Sequence, residues 1–338
     1  MIRRYVLMRQ LMLGPVIYKY NDCKTFCKEF HIGKDDLIIT GKEIYNNCLK
    51  FNVNEAAVLF KENYGIGNVS EDIVESMYEH VRRISHERII AIGEKCILEI
   101  GKIFSLTNIS PVVDLYNNKI EIIKEKELVL VPTKLGIGSE VNNVSELELK
   151  ENNMKVSLVA DELYADSTVM ITELLSKLPL DLLISSSINA LIHAIESYLS
   201  PRATEYTRLF SLKAVEIIFR SYKNIINKEM VMSSQTLDDF LLAGNYSEIA
   251  FANTGGDDLD LIKQELRKKD NTVTYGEANY ITFMEMLKSY QGIYPDSDIR
   301  ILNGFFANLL ECDTSEVFEQ VENILCKLIV KSSSSKRR

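Results

Sequence analysis

The sequence predicts an α/β domain with a parallel sheet, followed by an all-α domain. Three observations carry that expectation. Up to about residue 170, short apolar runs of strand length alternate with amphipathic stretches. The runs are apolar throughout rather than every second residue, as in parallel strands covered by helices on both faces. Beyond them the pattern changes to long stretches of helical spacing.

Taken in order, Asp36-Leu-Ile-Ile-Thr40 reads as a buried strand. Residues 52–63 read as a helix, with Ala56, Ala57, Leu59 and Phe60 near one face. Ser70 supplies an N-cap hydroxyl and Glu71 and Asp72 early acids for a helix through Val74, Met77, Tyr78 and Val81. Arg88-Ile-Ile-Ala-Ile-Gly93 is a strand ending in glycine, residues 97–104 have helical spacing, and Glu127-Leu-Val-Leu-Val-Pro132 is a further strand. The second part predicts helices over 187–199, 207–226, 237–252, 276–290 and 314–330, the last capped by Asp313 or Thr314. These patterns place one domain over residues 1–175 and a second over 176–331. The serine and basic residues of 332–338 bury nothing and are expected to be disordered. A cleft between two such domains is a usual place for a ligand.

Composition bounds the function. A chain of 338 residues that is 46% apolar can build a sizeable core in each domain. The net charge of −9 repels polyanions, so neither nucleic acid nor an anionic membrane is expected as a partner. No apolar run is expected to span a bilayer. The start, Met1 to Leu13, is basic and mildly apolar like a weak signal peptide. Arg9 and Gln10 interrupt it and no small-residue cleavage site follows, so a cytoplasmic protein is expected. The six cysteines are scattered and read as reduced and structural. Only four histidines are present.

Three segments have the residue types for chemistry. The first, Ile89-Ile-Ala-Ile-Gly93-Glu94-Lys95-Cys96, continues to Glu99 and Lys102. Strand, glycine turn and helix together make a place where backbone N–H groups and the helix dipole hold phosphate. A good cradle needs several glycines, and only Gly93 is present. Glu94 would repel a pyrophosphate by about 1 to 4 kcal/mol at a few ångströms, with Lys95 expected to offset part of that. From these residues alone a plain strand–turn–helix is the stronger reading. The second, Val131-Pro132-Thr133-Lys134-Leu135-Gly136-Ile137-Gly138-Ser139-Glu140, can line a nucleotide with small polar groups, or be a simple strand-end turn. In the third, Asn189 and His193 stand four apart on one helix face, a spacing that suits two ligands of one metal ion. The plainer reading is a core histidine satisfied by a hydrogen bond, with Asn189 beside it.

In this order and spacing the three segments resemble the iron-dependent (group III) alcohol dehydrogenases, from about Met8 to Val330. Within them the 4-hydroxybutyrate dehydrogenase type is most similar, through Val16-Ile-Tyr-Lys-Tyr20, Gly138-Ser-Glu-Val-Asn-Asn-Val-Ser145, Asp161-Glu-Leu-Tyr-Ala165, Ala190-Leu-Ile-His-Ala194, Ala243-Gly-Asn-Tyr246 and Gly276-Glu-Ala-Asn-Tyr280. Met8 matches the family's usual start, which makes residues 1–7 an extension. The family's chain continues with further helices where this one ends, so a C-terminal truncation is expected.

The resemblance implies a Rossmann-like NAD-binding domain and a helical domain that binds a divalent metal, iron or zinc, in the dehydroquinate synthase-like fold. It implies hydride transfer between NAD and a small hydroxy acid or aldehyde, with the metal polarising the alcohol oxygen, and a possible homodimer. The implied cofactor positions are Gly93, Cys96, Thr133, Gly138 and Ser139. The family's Gly-Gly-Gly-Ser falls on Gly93, Glu94, Lys95 and Cys96. Its acid three residues on falls on Glu99, its paired threonines on Thr133 and Lys134, and its second loop on Gly136-Ile137-Gly138-Ser139-Glu140. The metal ligands, an aspartate and three histidines, fall on Asn189, on His193, on a stretch without histidine, and on Tyr275. Asp257, Asp258 or Asp260 are substitute carboxylates in that stretch, or a solvated helix face. Asn189 is a weak ligand and Tyr275 is not expected to be one. No catalytic residue is assigned. The expectation is an alcohol dehydrogenase-like oxidoreductase with impaired activity and with both NAD and metal binding in doubt. The other reading is an inactive pseudoenzyme that serves as a binding or scaffold protein.

Overall fold

The computed structural model describes residues 9–334, except 54, 66, 68, 151–153, 256–274 and 294–296. The chain divides into two compact units, Leu13–Lys177 and Met1–Met12 with Leu178–Arg338.

The first unit is built on a six-stranded sheet. Its strands are β1 (Val16–Tyr20), β2 (Asp36–Thr40), β3 (Ala57–Phe60), β4 (Arg88–Gly93), β5 (Glu127–Pro132) and β8 (Ser167–Ile171), in the order β1-β8-β5-β4-β2-β3 with every pair parallel. The alternation of side chains assigns each strand residue to one of two cores. Leu37, Ile39, Ile89, Ala91, Leu128 and Leu130 join α2 (Glu71–Val81) and α3 (Lys95–Phe104) on one face. Ile38, Ile90, Ile92, Val129 and Val131 join Cys23, Phe26 and Cys27 of α1 (Cys23–Glu29) on the other. Each such Ile, Leu or Val contributes about 1.5–3 kcal/mol by leaving water. This double coverage is why the strands read as unbroken apolar runs. A separate antiparallel hairpin, β6 (Val144–Leu149) with β7 (Met154–Val159), follows the Gly136–Gly138 loop.

Residues 52–63 are not a helix. Ala57–Phe60 pairs with Leu37–Thr40 as the edge strand, and Lys61–Asn63 makes one 3-10 turn. The parallel neighbour rewards Val58 and Phe60 in an extended backbone, which a short apolar run does not reveal by periodicity. Ser70 occupies the N-cap of α2, but its hydroxyl makes no capping bond. Its backbone instead bridges to Glu148.

The second unit is helical, with α4 (Leu180–Leu199), α5 (Glu205–Asn227), α6 (Ser234–Thr254), α7 (Tyr275–Ile293), α8 (Ser297–Leu310) and α9 (Val317–Ser334). Thr204 and Thr207 form a capping box that starts α5, and Ser233 accepts from the Thr236 N–H to start α6. Gly255, at φ +65°, ends α6. The strands indeed end before this unit, but the pattern missed α8. The last helix begins at Val317, three residues later than expected and without Asp313 or Thr314 as its cap. It continues to Ser334, so 332–334 are helical rather than disordered, and 335–338 lie outside the described residues. At the other end, the Met12 N–H donates to Asn253 and the Thr204 hydroxyl to the Gln10 carbonyl, which ties residues 9–12 to the helices rather than to the sheet.

Among the described residues one helix, Leu180–Leu199, is long and apolar enough to cross a membrane by length and composition, contrary to expectation. Its apolar window is 83% buried within the fold, as befits the central helix of a bundle.

Candidate functional site

At the carboxyl ends of β4 and β5 the fold brings the first two sequence segments together. Gly93 ends β4 opposite Pro132, and the Thr133 N–H donates to the Gly93 carbonyl at 3.1 Å. A methyl group on Gly93 would lie 2.8 Å from the Ile97 Cβ, so the close entry of α3 onto the strand requires glycine there. Glu94 is the N-cap of α3 without capping it by side chain. Its carboxyl meets the Lys134 ammonium at 2.6 Å. Lys95, expected to offset Glu94, instead pairs with Glu146 at 3.0 Å. Burial is the main force that pushes the half-buried Cys96 thiol up, with the nearby Lys61 ammonium opposing it.

The second loop turns through Gly136 and Gly138, both with left-handed φ of 68° and 76°. Ser139 is fully buried, and its hydroxyl donates to Glu99 Oε1 at 2.5 Å. The Glu146 N–H donates to Glu99 Oε2 at 2.9 Å. Glu99 thus spends both oxygens on joining α3 to the loop and to β6. The Lys102 ammonium does the same one turn later, donating to Asn142 Oδ1 and to the Val144 carbonyl, each at 2.7 Å. Gly93 is thus joined to Thr133, and Ser139 to Glu99 on α3, with the Ser139 hydroxyl pointing into the protein.

The third segment lies on α4 in the helical unit. Asn189 and His193 are both buried. His193 Nδ1 lies 2.7 Å from Glu248 Oε1 on α6, and the ring stacks on Phe251 at 4.1 Å between centroids. Asn189 Nδ2 faces His193 Nε2 at 3.5 Å, the outer limit of a hydrogen bond. Along the same helix the Ser247 hydroxyl donates to the Ala190 carbonyl, and Asn279 Nδ2 of α7 to the Ser185 carbonyl. Among the described residues, Glu248 Oε2, Asn245 Nδ2, Asn279 Oδ1 and Thr282 Oγ1 are buried with no protein partner, which leaves a polar interior among the helices. Tyr275 is the first residue of α7. Asp257, Asp258 and Asp260 lie outside the described residues.

Glu248 is the residue that sequence reasoning missed. Its signal is that it is the only charge between Asp239 and Asp257, in a run of small and apolar residues. An acid there must find a partner when the helix is buried. A divalent ion needs several imidazole or carboxylate donors. Among the described residues no group of three or more His, Cys, Asp or Glu is gathered to hold one. The described donors there, one imidazole, the Glu248 carboxyl bonded to it and one amide, fall short of the usual set for a divalent ion.

Comparison with known proteins adds the following. A family model described as "Iron-containing alcohol dehydrogenase" matches residues 16–172, and one described as "Fe-containing alcohol dehydrogenase family, C-terminal" matches residues 183–334. The 4-hydroxybutyrate dehydrogenase of Clostridium kluyveri is 38% identical over 323 residues, which are 95% of this chain and 86% of that protein. A sulfoacetaldehyde reductase of Bilophila wadsworthia is 25% identical over half of this chain and 46% of that protein. Among solved structures, the sulfoacetaldehyde reductase of Bifidobacterium kashiwanohense, in complex with NAD+, superposes with a TM-score of 0.78 at 16% identity, covering 94% of this chain and 85% of that one. An iron-containing alcohol dehydrogenase of Thermococcus thioreducens does so with a TM-score of 0.73 at 16% identity, again covering 94% and 85%. At such identities the structural likeness speaks for the fold.

Proposed function

The chain belongs to the iron-containing alcohol dehydrogenase family, and from that premise we propose an oxidoreductase of the 4-hydroxybutyrate type whose metal-dependent turnover is impaired. The substrate class, a small hydroxy acid or its aldehyde with NAD as hydride partner, follows from the likeness to the Clostridium kluyveri enzyme. The impairment rests on one observation: the imidazole of His193 is bonded to Glu248, and among the described residues no group of three or more His, Cys, Asp or Glu gathers there. A bound cation would supply Lewis-acid help to alkoxide formation, and this donor set does not support one.

A second reading, an inactive protein that keeps the frame for binding, is favoured by the phosphate turn, where Glu94 stands at the start of α3 and is paired with Lys134. The experiment is to purify the chain, measure its iron and zinc, and assay NADH oxidation with succinic semialdehyde. Substoichiometric metal and turnover far below that of the Clostridium kluyveri enzyme are expected. Stoichiometric metal with full turnover would overturn the impairment. As a further check, Asn189→Asp combined with Tyr275→His is expected not to restore turnover, because a ligand position is still missing. Recovery in that double variant would refute this account of the site.

A further inference from the structure

We propose that the Glu94–Lys134 ion pair is a built-in counter-charge that closes the anion site at the start of α3, so that this turn rejects the diphosphate of a dinucleotide. The first turn of a ten-residue helix carries a partial positive charge, which ordinarily attracts phosphate. Here the residue at the N-cap carries its own carboxyl.

The cations around the turn are each spent within the chain. Lys134 is held by Glu94 at 2.6 Å and Lys95 by Glu146 at 3.0 Å. Lys61, close enough to act on the Cys96 thiol, donates to the carbonyls of Gly65 and Gly67 at 3.0 and 2.8 Å. Ser139, a buried hydroxyl of the second loop, is turned inward to Glu99. A diphosphate at this turn therefore meets the Glu94 carboxyl, and reaches Lys134 only by displacing that carboxyl. Glu94 and Lys134 stand 40 positions apart in the chain, and both depart from the glycine and threonine of the family pattern. The fold makes one pair of them.

The pair is accessible, with Glu94 58% and Lys134 28% exposed. Pairs of this kind contribute little to stability, so breaking this one changes binding rather than folding. Glycine is also well tolerated at an N-cap.

The test is calorimetric titration of NADH, and separately of ADP, into the wild type, Glu94→Gly, Lys134→Thr and the double variant, each checked by circular dichroism. Glu94→Gly removes the carboxyl and releases Lys134, and is expected to bind both ligands at least tenfold more tightly than the wild type. Lys134→Thr leaves the carboxyl alone and is expected to bind more weakly still than the wild type. The double variant should fall between the two single variants. Equal affinities for wild type and Glu94→Gly in folded protein overturn the proposal, as does Lys134→Thr binding more tightly than Glu94→Gly. The proposal deepens the second reading above. Metal content, which carries the impairment, does not enter these titrations, so the two fail separately.

Discussion

His193 and Glu248 show how much one pair of side chains decides. Each is buried, and each leaves the other with a group unsatisfied if removed. A buried donor or acceptor without its partner costs about 1–3 kcal/mol. His193→Ala and Glu248→Ala are each expected to lower the unfolding free energy by about that amount. The double variant should lose less than the sum, because two groups in direct contact are coupled. Urea unfolding of the four proteins measures the cycle. Additive losses would mean that the 2.7 Å contact contributes nothing to stability. In the sequence, His193 was visible as a candidate through its spacing from Asn189, whereas its partner lies 55 positions away on another helix.

At the scale of elements, α3 is the hinge of the polar corner. Its apolar side, with Ile97, Leu98, Ile100, Ile103 and Phe104, packs under the sheet face, while Glu99 and Lys102 reach to the loop before β6. Burial, before any neighbouring charge, pushes the Lys102 ammonium down to about 8 from its usual 10.5. The unfolded chain holds that proton up to about 10.5, and the folded chain releases it near 8. Between those values the unfolded state binds more protons, so this residue's contribution raises stability as pH rises. Lys102→Met removes it. The stability of the wild type relative to Lys102→Met is expected to grow by up to about 3 kcal/mol from pH 8 to 10.5. Denaturant unfolding of both proteins across that range measures the difference, and a constant difference contradicts the assignment. Most elements were legible in the sequence because their apolar periods are long. Residues 52–63 were not, because four residues beside a strand obey their neighbour rather than their own pattern.

The molecule as a whole has buried several acids that titrate at high pH. Burial raises the thiols of Cys23 and Cys27, the latter to about 12, and the phenols of Tyr116 and Tyr222. In the unfolded chain these groups ionise near 9 for thiols and 10 for phenols. The folded state keeps their protons longer, so the stability it gains from them is complete below pH 9 and is lost progressively above it. Four such groups outweigh the single opposing lysine. The melting temperature is expected to fall steadily from pH 9 to 11 in thermal scans. A flat profile would show that these groups open to solvent at little cost.

The sequence by itself determined the order of the two kinds of domain, the covered parallel strands, the glycine turn after β4 and the family frame, because each is written in local pattern or contiguous motif. It also located the departures at Glu94, Lys134 and Asn189. Only the tertiary structure decided what those departures do. It joined Glu94 to Lys134 rather than to Lys95, turned Ser139 inward to Glu99, and brought Glu248 to His193. The physical reason is the same in each case. A charge or hydroxyl in a low-dielectric corner takes the partner that packing places within about 3 Å, and distance along the chain carries no information about that partner.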